Sequence, residues 1–345
     1  MPGPAVLEKG GYMLQIGVIG YGYWGPNIVR NFIGADDARV AMVCDSNPAS
    51  LKKLSVNHPC VETVTNGEAV LTSPRIDAVA IVTPVSTHFE LAKRALENGK
   101  HVFIEKPFTE TVEHAEELIN LAEKKHLVIM VDHTFLFTGA VKKIKELLSQ
   151  EALGKIYYYD STRVNLGLFQ HDVNVIWDLA PHDFAIMNHV IADTPAALTA
   201  SGRAHVNGFE DIAYITIYFN SNLIAHINVN WLSPVKVRST LIGGEKKMLV
   251  WNDGAEDEKI KVYDKGIDVT TKEGIYDLLV NYRSGDIWTP KLDNREALRQ
   301  ETSYFVECVR DNKKPINDGV AGLQVVRLLD ACDRSLRQNG KMVAL

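Results

Sequence analysis

Asp178 and His182, four residues apart, and Lys106 in the run Glu105-Lys106-Pro107 are the residues of this chain best suited to moving a proton. An imidazole titrates at about pH 6.5 and so accepts a proton near neutrality. Four residues apart on a helix, Asp178 shares a face with His182 and can orient its ring or bond a ligand hydroxyl. A lysine ammonium suits an oxygen on which negative charge builds. Burial can also strip a lysine of its proton and make it the base, so two roles for Lys106 stay open. Proton removal from a secondary alcohol completes an oxidation only if something else takes the hydride, which calls for a redox cofactor.

A dinucleotide site is readable in Gly20-Tyr21-Gly22-Tyr23-Trp24-Gly25. Three glycines alone are weak evidence, but here an apolar run (14–19) precedes them, and Pro26, Ile28, Val29 and Phe32 open a helix behind them. Gly20 would permit the tight turn, Gly22 the approach of a pyrophosphate, and Gly25 close packing of helix on strand. Tyr23 and Trp24, in the turn, are expected to touch the cofactor. A second apolar run (40–44) ends in Asp45, 20 residues beyond Gly25, where a carboxylate can bond the adenosine ribose. Ser46, Asn47 and Pro48 offer no cation for a 2′-phosphate, so NAD is expected over NADP.

The elements that must position these residues alternate. Strands are expected at 78–82, 101–104 and 127–131, and helices at 87–98 and 111–125, making a five-stranded parallel sheet with 14–19 and 40–44. Ligands bind beyond the carboxyl ends of such strands, which brings Thr83, Pro84, His88, Glu105 and Lys106 to the cofactor rim beside Gly20 and Asp45. After Asp132 the pattern changes. A helix at 139–148 is followed by β-branched and aromatic runs at 156–164, 212–219, 223–231, 235–242 and 247–251, the mark of a largely antiparallel sheet. Helices at 295–309 and 319–337 close the chain.

The fold class is therefore α/β, with a Rossmann domain over 13–133 and a second α/β domain with an open sheet over 134–345, whose terminal helices have the option of packing back on the first. Residues 1–12, rich in Pro and Gly, read as a disordered extension. With 345 residues, 46% of them hydrophobic, the chain can bury two cores. A net charge of −6 without basic runs argues against nucleic-acid or anionic-membrane partners. Cys44, Cys60, Cys308 and Cys332 lack paired or metal-ligand spacing, and the 11 histidines form no metal motif, so no metal is expected. No apolar run is long enough to span a bilayer and no signal segment is evident, which points to the cytoplasm.

From Met13 onward the chain resembles the glucose-fructose oxidoreductase and inositol dehydrogenase (Gfo/Idh/MocA) family. The resemblance rests on Gly20-x-Gly22-x-x-Gly25, Thr83-Pro84 with His88, Glu105-Lys106-Pro107, Asp178-x-x-x-His182, and the ending from Asp318-Gly319 through Ser335-Leu336 to Gly340. It implies NAD(P)-dependent oxidation of sugar or cyclitol hydroxyls, a homodimer or homotetramer joined through the second domain's sheet, and Lys106, Asp178 and His182 at the catalytic positions. Many members carry glycines just before the catalytic aspartate, where this chain has Asn174-Val175-Ile176-Trp177, a departure that bears on substrate fit. The runs Tyr23-Trp24-Gly25-Pro26-Asn27 and 174–182 resemble a subgroup associated with nucleotide sugars, UDP-N-acetylglucosamine 3-dehydrogenases among them.

Substrate contacts are expected from Lys106, Asp178 and His182 and, in the polar stretch before the helix, from Arg163 and Asn174, with Gln170 and His171 nearby. The leading expectation is an NAD-dependent dehydrogenase of a nucleotide-linked sugar. Alternatives are a free-sugar or inositol dehydrogenase, an NAD-retaining enzyme that cleaves glycosides through transient oxidation, and a noncatalytic NAD sensor.

Overall fold

The computed structural model of the protein describes residues 13–167, 169–268 and 281–345; the expected extension at 1–12 lies outside them. The chain forms two units, one running up to Asp132 and taking in Leu298–Val320, the other comprising His133–Ala297 and Ala321–Leu345.

In the first unit, six parallel strands stand in the order β3-β2-β1-β4-β5-β6. They are β1 (Leu14–Ile19), β2 (Ala38–Cys44), β3 (Glu62–Val64), β4 (Ala78–Ile81), β5 (His101–Ile104) and β6 (Ile129–Val131). Their near-continuous apolar runs suit strands covered on both faces. The helices are α1 (Gly25–Ile33), α2 (Pro48–Asn57), α3 (Glu68–Leu71), α4 (His88–Glu97) and α5 (Val112–Lys125). Asn47 caps α2 by accepting from the Ala49 N–H, and Thr111 caps α5 by accepting from the His114 N–H. Five strands were expected here. The sixth, β3, has three residues, too few for a period to register.

Part of the core comes from the far end of the sequence. Helix α8 (Ala297–Arg310) brings in Phe305, whose ring meets Phe32 and Phe103 edge to face with centroids 6.0 and 5.6 Å away. Asn317 then closes the open edge of β6. Its carbonyl accepts from the Val131 N–H at 2.8 Å, and its side-chain amide donates to the Val131 carbonyl at 2.7 Å.

Nine strands make the second unit's sheet, in the order β14-β13-β12-β11-β7-β10-β9-β8-β15. They are β7 (Ile156–Leu166), β8 (Pro195–Arg203), β9 (Ile212–Phe219), β10 (Ile224–Asn230), β11 (Leu232–Gly244), β12 (Met248–Asn252), β13 (Ile260–Asp268), β14 (Asn281–Trp288) and β15 (Val343–Ala344). Among the described residues, only β7 and β10 of this sheet pair in parallel. Four of these strands, β8, β13, β14 and β15, were not expected. β8 is built of small and polar residues, β13 and β14 mix charges into their alternation, and β15 has two residues.

One sheet face is packed by α7 (Val175–Val190), over Ala225, Ile227 and Val229; the other leaves Tyr214, Ile224 and Leu241 exposed. Helix α6 (Gly139–Ser149) packs on α7, and α9 (Gly319–Arg337) starts in the first unit and continues into the second. Among the described residues, no helix is long and apolar enough to cross a membrane.

Replacing Phe305 with Ala should cost about 3–5 kcal/mol of stability, because it empties the junction of three wholly buried rings. Chemical denaturation checks this. A loss under 1 kcal/mol, on the order of a surface change, would mean α8 does not belong to the first unit's core.

Candidate functional site

The first unit gathers the expected cofactor residues at the carboxyl ends of its strands. Gly20 has φ +102°, and a Cβ there would meet the Val82 carbonyl oxygen at 2.1 Å, so only glycine makes this turn. A Cβ on Gly25 would meet the Gly20 oxygen at 2.5 Å, as expected where helix and strand pack closely. At Gly22 the reason differs. A Cβ there would meet nothing within 4 Å, so the missing side chain leaves open space against the backbone rather than relieving crowding within the protein. A diphosphate approaching the backbone at the start of α1 would use that space, and the turn fits a dinucleotide.

Asp45 performs a task beyond the ribose contact read from the sequence. Its Oδ2 accepts from the Tyr21 N–H at 2.6 Å and its Oδ1 from the Asn47 N–H at 2.7 Å. The carboxylate thus ties the glycine turn to the end of β2. A carboxylate offers about four acceptor positions, so two remain for ribose hydroxyls.

Tyr23 is 87% exposed and available to a ligand. Trp24 is half-buried, and its indole N–H donates to the buried carboxylate of Asp132 at 3.2 Å. Asp132 follows β6, three places along the sheet from β1, so the indole reaches across the rim. Thr83 and Pro84 form the turn after β4, where the Thr83 and Thr87 hydroxyls meet at 2.7 Å and Thr87 also donates to the Pro84 carbonyl.

His88, expected at the cofactor, has both ring nitrogens engaged within the first unit. It is fully buried, with Nδ1 2.9 Å from the Pro107 carbonyl and Nε2 2.9 Å from the Thr83 carbonyl. It therefore fastens the Thr83-Pro84 turn to the loop bearing Lys106. Burial pushes its pKa below the ordinary value, while the carbonyls of Thr83 and Pro107 pull the other way. Both Glu105 and Lys106 are half-buried, and the Glu105 carboxylate accepts from the Lys106 backbone N–H.

In the second unit α7 carries Asp178 and His182, both half-buried. Asp178 Oδ2 accepts from the indole N–H of Trp231 at 2.9 Å. The His182 ring lies against Phe135, with centroids 4.9 Å apart and planes at 61°. Beyond Phe135, the Arg163 guanidinium stacks on the same ring at 4.6 Å and Arg238 approaches it at 5.5 Å.

Arg163 and Asn174, expected as substrate contacts, have hydrogen-bond partners inside the unit. Arg163 is 5% exposed; its Nε donates to Asp183 Oδ2 at 2.7 Å and its Nη2 to Oδ1, to which Ser161 also donates. Asn174 is the N-cap of α7, accepting from the Ile176 and Trp177 N–H groups and donating to Glu210 at 3.2 Å. Of their neighbours, His171 is exposed, and the Gln170 carbonyl accepts from Asn207. Trp231, Phe135, Asp183 and Asp132 were missed. Nothing in their spacing marks them, since each acts through a partner distant in sequence or, for Asp183, through a strand.

Known proteins share this architecture. Residues 14–133 match a family described as an oxidoreductase family with an NAD-binding Rossmann fold, and residues 141–250 match the GFO/IDH/MocA C-terminal domain. The UDP-N-acetylglucosamine 3-dehydrogenase of Acidithiobacillus ferrooxidans is 28% identical over 322 residues, 91% of this chain and 94% of that one. The scyllo-inositol 2-dehydrogenase (NAD(+)) of Bacillus subtilis is 26% identical over 88% of this chain and 87% of its own. A solved structure of the Acidithiobacillus enzyme superposes with a TM-score of 0.79 at 26% identity, covering 95% of this chain and 98% of that one.

Replacing Asp45 with Ala should weaken NAD binding and narrow the preference over NADP, as calorimetric titration would read; an unchanged preference would remove Asp45 from the ribose site. His88 gives a pH dependence. Its folded pKa is depressed, so below about pH 6.5 the unfolded chain takes up a proton that the folded chain refuses, and stability falls with pH. The unfolding midpoint should drop between about pH 7 and pH 5, and less steeply in His88→Gln; equal slopes would refute the assignment.

Proposed function

The chain belongs to the Gfo/Idh/MocA family of NAD-binding oxidoreductases, acting on CH–OH groups, and from that we propose that it oxidises a secondary hydroxyl of a nucleotide-linked sugar of the UDP-N-acetylglucosamine kind. The observation that carries the chemistry is the pairing of an anchored carboxylate with an imidazole on one helix, Asp178 and His182 on α7. The substrate class is supported by similarity to a UDP-N-acetylglucosamine 3-dehydrogenase over 91% of this chain.

Bound NAD supplies the acceptor for the hydride that leaves the carbinol carbon. His182 takes the hydroxyl proton as the carbon–oxygen double bond forms, and its neutral imidazole is suited to that near pH 7. Asp178 bonds the sugar or the imidazolium. Lys106, as an ammonium, hydrogen-bonds the reacting oxygen and stabilises its developing charge. Glu105 and His88 hold the loop from which Lys106 extends. We further propose a homo-oligomer joined through the sheet face that exposes Tyr214, Ile224 and Leu241, which light scattering would detect.

Similarity to an NAD-dependent inositol dehydrogenase favours free cyclitols as the second reading. Incubating the protein and NAD with UDP-sugars, free sugars and inositols, while following NADH absorbance, separates the two. Turnover of UDP-sugars is expected; turnover confined to inositols reverses the ranking, and inertness toward all of them overturns the proposal.

Lys106→Ala and His182→Ala should each cut turnover by about a hundredfold or more, leaving NAD affinity within a few-fold. Steady-state kinetics with parallel NAD titration is the measurement, and full activity in either variant removes that residue from the mechanism.

A further inference from the structure

Trp231 is the largest wholly buried side chain among the described residues and sits where the chain passes from β10 to β11. Its backbone is pinned on both sides, the N–H donating to the Asp211 carbonyl at 2.9 Å and the carbonyl accepting from the Gly167 N–H at 3.0 Å. The ring packs at 5.4 Å from Phe169. A Cβ on Gly167 would come within 2.8 Å of Trp231 Cδ1, so the glycine gives the indole its room. A buried indole N–H needs an acceptor, and the acceptor here is Asp178 Oδ2 at 2.9 Å.

We propose that Trp231 is a positioning residue for Asp178, its indole N–H holding one carboxylate oxygen so that the carboxylate keeps a single orientation beside His182. The inference rests on the reading of Asp178 as part of the reacting site. The hydrogen bond removes the rotational freedom of the Asp178 side chain, which an exposed carboxylate would retain. The neighbouring residue is anchored in the same manner, the Trp177 indole donating to Asp333 at 3.0 Å. Two indoles thus hold the first turn of α7, one of them on the candidate catalytic group.

Trp231→Phe keeps the ring and deletes the donor. In that variant kcat should fall by about tenfold with KM changed less. A tryptophan that merely fills space would change stability and leave kcat in place. On an Asp178→Asn background, the Phe substitution should bring no further fall in kcat, because no carboxylate remains to be held. Gly167→Ala, which crowds the indole without removing a polar group, should lower kcat in the same way and serves if Trp231→Phe does not fold.

A substrate-free measurement keeps this inference distinct from the proposed activity. In protein carrying ¹⁵N-labelled tryptophan, the indole signal that vanishes in Trp231→Phe or shifts most in Gly167→Ala should move with acid titration, and Asp178→Asn should abolish that movement. An indole signal indifferent to Asp178→Asn overturns the inference, even if UDP-sugars are oxidised. Failure to oxidise any sugar overturns the activity, and the indole titration still decides the role of Trp231.

Discussion

The buried ion pair of Arg163 with Asp183 fastens α7 to β7. Side-chain exposure is 5% and 2% for the two partners, so neither charge can be satisfied by water. Ser161 supplies an additional donor to Asp183, while the buried Nη1 of Arg163 has no hydrogen-bond partner among the described residues. Removing one partner would leave an uncompensated buried charge, typically a loss of about 3–5 kcal/mol. Phe135 lies between the ion pair and the imidazole, its ring against that of His182 and under the Arg163 guanidinium.

The same requirement organises the first unit. A polar group removed from water must find a partner, and here the partners join one rim segment to the next. Asp45 ties the glycine turn to β2, Trp24 reaches Asp132 after β6, and His88 fastens the Thr83-Pro84 turn to Pro107. None of these three contacts requires a ligand.

Much of the fold was legible because its signals are periodic. The apolar runs of β1, β2, β4 and β5 and the faces of α4 and α5 repeat at spacings that only strands and helices bury. The core strands β9 and β10 were visible for the same reason. Short or polar strands were not: β3 and β15 carry too few residues to show a period, and β8 reads as a loop because its small residues acquire a role only beside β9. The glycine turn was legible in position and in mechanism, since Gly20 and Gly25 act through backbone geometry that local spacing reveals.

What the sequence by itself determined was the class of chemistry and the elements that carry it: a glycine turn between strand and helix, an acid after β2, a lysine after β5, and an acid with an imidazole one helical turn apart. These follow from bonds and periods that span a few residues. The tertiary structure decided which polar residues hold the frame. Arg163, Asn174 and His88 have the side chains of ligand contacts, yet burial and partners remote in the chain turn them inward, while Trp231, unremarkable in sequence, meets Asp178 across 53 residues. Hydrogen-bond partnership over such separations depends on how strands and helices come together, and a one-dimensional pattern carries no record of that.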